Sequence, residues 1–266
     1  MPITCPVRLS PVTDAHFEAV DRVVMVCAYA SQHRLGRLCD ELVYENDLAA
    51  RLRAEGTSQV LTQVPIVVSH ERFTKEYRLD LVVDGVVYEL KVVQALAPAH
   101  DAQVFHYGAL LNLDRIKLLN FGAAKVEGLL RRCPFPRTDR FAVTINRSHW
   151  KPLTAECDAL ARSMEGCLRE WGGFLDCHLL EEALVFLNGG EAECLLRLPV
   201  TRDGIQLGSH RVAMHSEEIG FVVTSLGDGL TAQETHLRQL LDALPLRAWQ
   251  WINLHRLEVR MVTLMK

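Results

Sequence analysis

The stretch RLDLVVDGVVYELK, Arg78–Lys91, decides the reading of this chain. Asp84-Gly85 stands between two apolar runs, a strong signature of a two-residue hairpin turn. With that turn as pivot, Val83 pairs with Val86, Val82 with Val87, Leu81 with Tyr88 and Asp80 with Glu89. Directly opposed residues share one face of a sheet, with Cβ atoms roughly 4.5–5.5 Å apart. Lys91 lies two residues beyond Glu89 and projects from the same face. Two carboxylates held opposite each other repel unless a cation sits between them or one is protonated. The pattern asks for a metal.

A hard divalent cation suits this set. Mg2+ prefers oxygen ligands and keeps several waters, so one or two carboxylates plus a substrate phosphate suffice. Lys91 is then placed to orient or deprotonate a water and to offset developing negative charge. The bland alternative is a salt-bridged strand pair in which Lys91 merely neutralises the carboxylates.

The rest of the chain sets the bounds. Its 266 residues, 49% hydrophobic and 23% charged, suit an ordinary soluble globular protein with one large core or two smaller ones. No apolar run reaches the roughly 18 residues of a membrane span. The start MPITCPVRLSPVTDAHFEAV has no basic stretch followed by an apolar core, so a cytoplasmic protein without a signal peptide is expected. Eight cysteines are scattered without a CxxC pair, which argues for reduced thiols over a zinc site or a disulfide framework. A net charge of −4 gives no global pull toward nucleic acid, so any such contact needs a local basic patch.

The chain also says much the same thing twice. GRLCDELVYENDL from Gly36 lines up with GGFLDCHLLEEAL from Gly172 at an offset of 136, and RLDLVVDGVVYELK from Arg78 with RVAMHSEEIGFVVT from Arg211 at 133. The offset of 133 also sets LDRIKLLNF on LRAWQWINL, Asn120 on Asn253 and Val126 on Val259. A tandem duplication follows, with its boundary near the prolines of CPFPRTDRF. The expected organisation is a first domain over 1–135, a linker over 136–152 and a second domain over 153–266.

The repeat serves as an internal control. Asp80 aligns with Ala213, Glu89 with Val222, Lys91 with Thr224, Gln103 with His236 and Tyr107 with Leu240. Apolar positions persist: Leu79 on Val212, Leu81 on Met214, Val86 on Ile219, Tyr88 on Phe221 and Leu90 on Val223. A polar set that the scaffold can lose points to chemistry rather than to structure.

The order of ELVYE at Glu41–Glu45, RLDLVVDGVVYELK, HDAQVFHY and LLNFG at Leu118–Gly122 resembles the PD-(D/E)XK nuclease superfamily, and within it the GxxExxY proteins, over roughly residues 15–132. The resemblance implies an α/β fold, a mixed central sheet flanked by helices, here as a tandem duplication of that nuclease-like core. It implies Asp80 and Glu89 as metal ligands, Glu41 as a further acidic residue near the metal, and Lys91 as the catalytic lysine. Gln103 and Tyr107 resemble the helical QxxxY element that contacts substrate; four apart, they share one helix face. Two positions depart from the pattern. Leu38 stands where the glycine of the GxxExxY motif belongs, with Gly36 two residues earlier, and YRLD carries no proline before Asp80. The flanking His100 and His106 read as surface or helix-end residues.

The implied activity is a Mg2+- or Mn2+-dependent nuclease cutting phosphodiesters, in DNA before RNA. The alternatives are a non-catalytic nucleic-acid-binding or assembly protein on the same scaffold, and a hydrolase of smaller phosphate esters. The second copy reads as catalytically silent and paired with the first inside the chain, with homo-oligomerisation left open. Trp249 and Trp251 share one face of a strand and read as packing between the repeats rather than as a base-stacking platform. Glu181 and Glu182 read as a solvated helix face.

Overall fold

The Asp84-Gly85 turn forms as the sequence predicts. In the computed structural model, which describes residues 2–133 and 139–266, Asp84 has φ 46° and Gly85 φ 82°. Both central residues of a type I′ turn need positive φ, which is why Asp-Gly suits it. Leu81 pairs with Tyr88, Val82 with Val87 and Val83 with Val86, and Asp84 Oδ1 accepts from the Gln59 backbone N–H at 2.7 Å.

The chain divides into two compact units, Met1–Ser69 with Thr74–Arg137, and His70–Phe73 with Thr138–Lys266. The first runs β1 (Ile3–Thr4), α1 (Asp14–Leu35), α2 (Glu41–Ala54), β2 (Val60–His70), β3 (Phe73–Val83), β4 (Val86–Lys91), α3 (Pro98–Leu111), β5 (Arg115–Asn120) and β6 (Glu127–Arg132). Its strands lie in the order β1-β2-β3-β4-β5-β6, antiparallel at β3–β4 and parallel at β4–β5. Parallel neighbours need a crossover, and α3 provides it. Phe17, Val24, Tyr44 and Leu48 of the first two helices pack on Leu81, Tyr88, Leu90 and Phe121, with the Tyr44 and Phe121 rings stacked at 4.6 Å.

The second unit runs β7 (Thr144–His149), α4 (Ala155–Trp171), α5 (Cys177–Leu187), α6 (Glu191–Cys194), β8 (Leu195–Arg202), β9 (Ile205–Ser216), β10 (Ile219–Thr224), α7 (Leu230–Ala243), β11 (Ala248–His255) and β12 (Glu258–Met265). Its sheet order is β7-β12-β11-β10-β9-β8, with β10 parallel to β11. Five strands therefore follow the same order in both units, β2 to β6 and β8 to β12. The added strand differs: β1 lies on β2, whereas β7 lies parallel on β12.

One polar device recurs with the strands. Asn120 Oδ1 accepts from the Val93 and Gly122 backbone N–H groups, tying the loop after β4 to the end of β5. Asn253 Oδ1 accepts from Leu226 N–H, 133 residues beyond Val93, and its amide donates to Leu226 O. Gly36 and Gly172, 136 apart, end α1 and α4 at φ 76° and 79°.

Two expectations change. Residues 136–152 are not only a linker: Thr144–His149 joins the second sheet as an edge strand, which its polar TINRSH sequence conceals. The expected boundary at CPFPRTDRF falls largely on residues 134–138, outside the described residues. Trp249 and Trp251 pack with Leu237 and Leu241 in the second unit's own core, not between repeats. The reason is that β11 is a central strand, buried along nearly its whole length. No helix among the described residues is long and apolar enough to cross a membrane.

Candidate metal centre

The hairpin delivers its polar residues to one place. Lys91 Nζ lies 2.7 Å from Glu89 Oε1, 3.9 Å from Asp80 Oδ2 and 3.7 Å from Glu41 Oε1, and also donates to Leu90 O at 2.7 Å. Asp80 Oδ2 accepts from the Leu90 backbone N–H at 2.7 Å, which fixes the carboxylate against the next strand. Glu89 is only 1% exposed, and its Oε2 has no hydrogen-bond partner among the described residues.

Glu41 enters from the first residue of α2. Gly36, at φ 76°, ends α1, and the four residues Arg37–Asp40 carry the chain into the next helix. The longer entry places Glu41 within reach of Lys91 even with Leu38 in the position where the motif has glycine. An open groove of ≈ 540 Å³ begins beside it, lined by Arg37, Leu38, Asp40, Val92 and Gln94 among others. Gly122 closes one side so tightly that a Cβ there would stand 2.5 Å from Val93 O. Gly122→Ala must push the Asn120-clamped loop away, and a loss of about 1–3 kcal/mol in urea unfolding is expected.

Burial dominates the electrostatics. It pushes the Glu89 carboxyl up to about 8; Asp80 and Glu41 push the same way, and Lys91 pulls it back. Burial likewise raises Asp80 and Glu41 above the usual carboxylate range. Burial lowers Lys91, but Glu89, Asp80 and Glu41 together outweigh that and hold the ammonium above its ordinary value. One unit-charge pair at 4 Å is worth about 4 kcal/mol at an effective dielectric of 20. Removing each ion from water costs several kcal/mol. One ammonium therefore does not compensate the two buried carboxylates, Asp80 and Glu89, with Glu41 beside them.

Gln103 Nε2 donates to Tyr107 Oη at 3.1 Å, the (i, i+4) pair that their spacing predicts. Burial, then the charge of Glu89, pushes the Tyr107 hydroxyl up to about 12. His100 is a helix-end residue: its Nδ1 accepts from Ala97 N–H at 2.8 Å. His106 is buried edge-on against Tyr77, at 4.8 Å between centroids.

Sequence reasoning missed Glu45, one turn beyond Glu41. It is 2% exposed and accepts from Gln63 Nε2 at 2.6 Å. Burial raises its carboxyl, with Asp80 and Glu41 adding to the shift and Gln63 opposing it. The available signal was the (i, i+4) spacing from Glu41.

Among its described residues the second unit has no such set. Val222 and Thr224 stand on β10 where Glu89 and Lys91 stand on β4. A register shift at Ile219–Gly220 pairs Ala213 with Phe221, as Leu81 pairs with Tyr88, so Val212 rather than Ala213 stands where Asp80 does. Thr224 is absorbed into structure: it accepts from Trp251 Nε1 at 2.8 Å and donates to Asn253 Oδ1 at 2.7 Å. Glu182 is exposed, while Glu181 is half-buried and sits 3.7 Å from His178. Both line a cleft of ≈ 520 Å³ that also reaches Arg211 and Ala213.

Whether a divalent cation suits the first set can be judged from its donors. Asp80 and Glu89 are hard oxygen donors, and Glu89 Oε2 is a buried acceptor that no protein donor among the described residues serves. Among the described residues no three His, Cys, Asp or Glu side chains form a ready-made cage. Mg2+ does not require one, since it is held by one or two carboxylates with water and phosphate. The residues fit.

Residues 18–133 match the family model described as the PD-(D/E)XK nuclease superfamily, a span that holds Glu41, Asp80, Glu89, Lys91, Gln103 and Tyr107. None of the curated proteins and none of the solved structures compared with the chain matched it.

Proposed function

We propose that the chain is a divalent-metal-dependent nuclease with its active site in the first unit, acting on DNA in preference to RNA. The observation that carries this reading is the buried Glu89 carboxylate, with an unserved Oε2, facing Asp80 beside Lys91. The family-model match over residues 18–133 supports phosphodiester hydrolysis as the reaction class.

Asp80 and Glu89 would hold Mg2+ or Mn2+, and Glu41 would supply further negative charge at the rim of the groove. When bound, the cation polarises a phosphoryl oxygen and lowers the pKa of water. The protein's own groups do the rest. Leu90 N–H keeps Asp80 aimed. Lys91, cationic at neutral pH, orients the attacking water and offsets the negative charge that develops on the phosphoryl oxygens. Gln103 and Tyr107 position the substrate strand from α3.

The second unit is a silent copy produced by tandem duplication, and the first unit is of the GxxExxY kind. Supporting the duplication are the shared strand order and the Asn120/Asn253 clamps, which sit 133 residues apart and grip loops 133 residues apart.

The test is calorimetric titration of Mn2+ into the whole chain, followed by incubation with single-stranded DNA, duplex DNA and RNA. One bound Mn2+ with cleavage that stops on chelation is expected. A protein that binds no Mn2+ even with DNA present is instead a salt-bridged scaffold. The 2.7 Å Lys91–Glu89 contact is the feature favouring that second reading.

A further inference from the structure

The loop that carries the chain from α1 into α2 holds a side chain that the fold itself does not use. Leu38 is 95% exposed, yet it lines the groove that opens beside Glu41, with Arg37 next to it. A lone exposed leucine is ordinary on a protein surface. Leu38 is set apart by its place: it stands where the motif has glycine, on the rim of the candidate metal centre.

The loop is built to present it. Tyr44 is fully buried with its ring stacked on Phe121, and only its hydroxyl engages the loop. That hydroxyl donates to Gly36 O at 2.7 Å and accepts from Cys39 N–H at 3.4 Å, so one side chain grips the backbone on both sides of Arg37-Leu38. Fixed ends reduce the entropy that a loose loop would lose on binding.

The corresponding loop of the second unit is built differently. At the 136-residue offset Arg37 becomes Gly173, Leu38 becomes Phe174, and Tyr44 becomes Leu180, which has no hydroxyl. There the loop is packed down: Phe174 N–H donates to Arg256 O at 3.0 Å, and a Cβ on Gly173 would collide with the same oxygen. The presented pair therefore stands in the unit that carries Asp80, Glu89 and Lys91.

Chemistry selects the occupant. Arg37 is exposed and has no ion-pair partner among the described residues, so its guanidinium is available to a phosphate. An apolar side chain beside a phosphate contact is what a protein needs to unstack a base step, since leucine can fill the space between bases.

Resting on the nuclease reading, we propose that Leu38 is a wedge that opens the base step beside the cut, while Arg37 holds a neighbouring phosphate. The substrate class is then double-stranded DNA that can be unstacked where it is cut.

The test compares cleavage of one sequence as a single strand, as a full duplex, and as a duplex with a mismatch beside the cut. Leu38→Ala should lower the ratio of duplex to single-strand cleavage ~10-fold, because a single strand needs no opening. The mismatch should restore that ratio to within about threefold, and Leu38→Met should keep it. Leu38 is exposed, so the thermal melt of Leu38→Ala should match that of the wild type. Arg37→Gln should slow all three substrates alike and reduce the salt dependence of DNA binding by about one released ion. A second readout needs no cleavage: in chelator, Asp80→Asn protein should raise the fluorescence of 2-aminopurine placed beside the mismatch, and adding Leu38→Ala should abolish the rise. A wild type that cuts DNA with a ratio indifferent to Leu38→Ala overturns the wedge and leaves the nuclease reading standing. A wild type that neither binds nor cuts DNA overturns both.

Discussion

Asp80→Asn and Glu89→Ala are each expected to remove Mn2+ binding and to lower DNA cleavage on the order of 10²–10³-fold or more. The two substitutions differ for structural reasons. Asp80 Oδ2 accepts the Leu90 backbone N–H at 2.7 Å, and an asparagine oxygen keeps that bond while removing the charge. Alanine at 80 would leave the buried N–H unpaired, and the cost of an unmade hydrogen bond would confuse the result. Glu89 has no such backbone obligation: its Oε1 accepts from the Lys91 ammonium, and its Oε2 has no partner among the described residues. Lys91→Met separates the roles. It removes the cation that faces three carboxylates, so Mn2+ binding should persist or tighten while cleavage falls. If Asp80→Asn and Glu89→Ala both melt like the wild type and still bind Mn2+ and cut, the metal centre lies elsewhere. If Lys91→Met cuts at the wild-type rate, the ammonium has only a neutralising role. Measuring metal affinity and cleavage rate separately keeps these outcomes distinct.

The part of this site that was legible in the sequence is the part fixed by local rules. An Asp-Gly turn sets its own register, so the pairing from Leu81–Tyr88 to Val83–Val86 and the approach of Lys91 to Glu89 followed from spacing alone. Gln103 and Tyr107 met because helical residues four apart must meet. What was not legible depended on tertiary surroundings. Glu45 has an ordinary helical spacing from Glu41, and only burial against Gln63 of another element marks it. Strand β7 carries no alternating apolar pattern, because an edge strand paired on one side, in TINRSH, has little to bury. The tryptophans of β11 shared a face as expected, but a strand pattern does not say which layer covers that face, and α7 does. The internal repeat was the strongest long-range signal, since it tied elements of the two halves together by residue spacing alone. The same spacing aligned positions where the two halves agree, such as the Asn120 and Asn253 clamps, and positions where they differ, such as Lys91 and Thr224.

The metal-free protein should lose stability as pH rises through neutrality, and Glu89→Gln should remove much of that loss. Glu89 titrates near 8 in the folded chain against an ordinary value of 4.5. Between those values the folded state holds a proton that the unfolded state has released. Stability contributed by the protonated carboxyl is therefore complete below the ordinary value and is lost as pH climbs through about 8. The slope is at most ~1.4 kcal/mol per pH unit for one group. Asp80, Glu41 and Glu45 are also raised, so the variant should keep a shallower slope of the same sign. The glutamine side chain retains an oxygen for Lys91 and needs no proton, so the variant should be the more stable protein at pH 8 and little changed at pH 5. Mn2+ should then distinguish the two in the opposite sense. A cation takes the place of the proton on Glu89, and binding to the folded state alone adds stability that grows with the logarithm of its concentration. Wild type at pH 8 should recover stability on adding Mn2+, and Glu89→Gln should not. Chemical denaturation at pH 5, 6.5 and 8, with and without Mn2+, reads all four limbs. Parallel pH profiles for the two proteins would mean that Glu89 is not held protonated by its burial. A Mn2+ response preserved in Glu89→Gln would remove Glu89 from the ligand set.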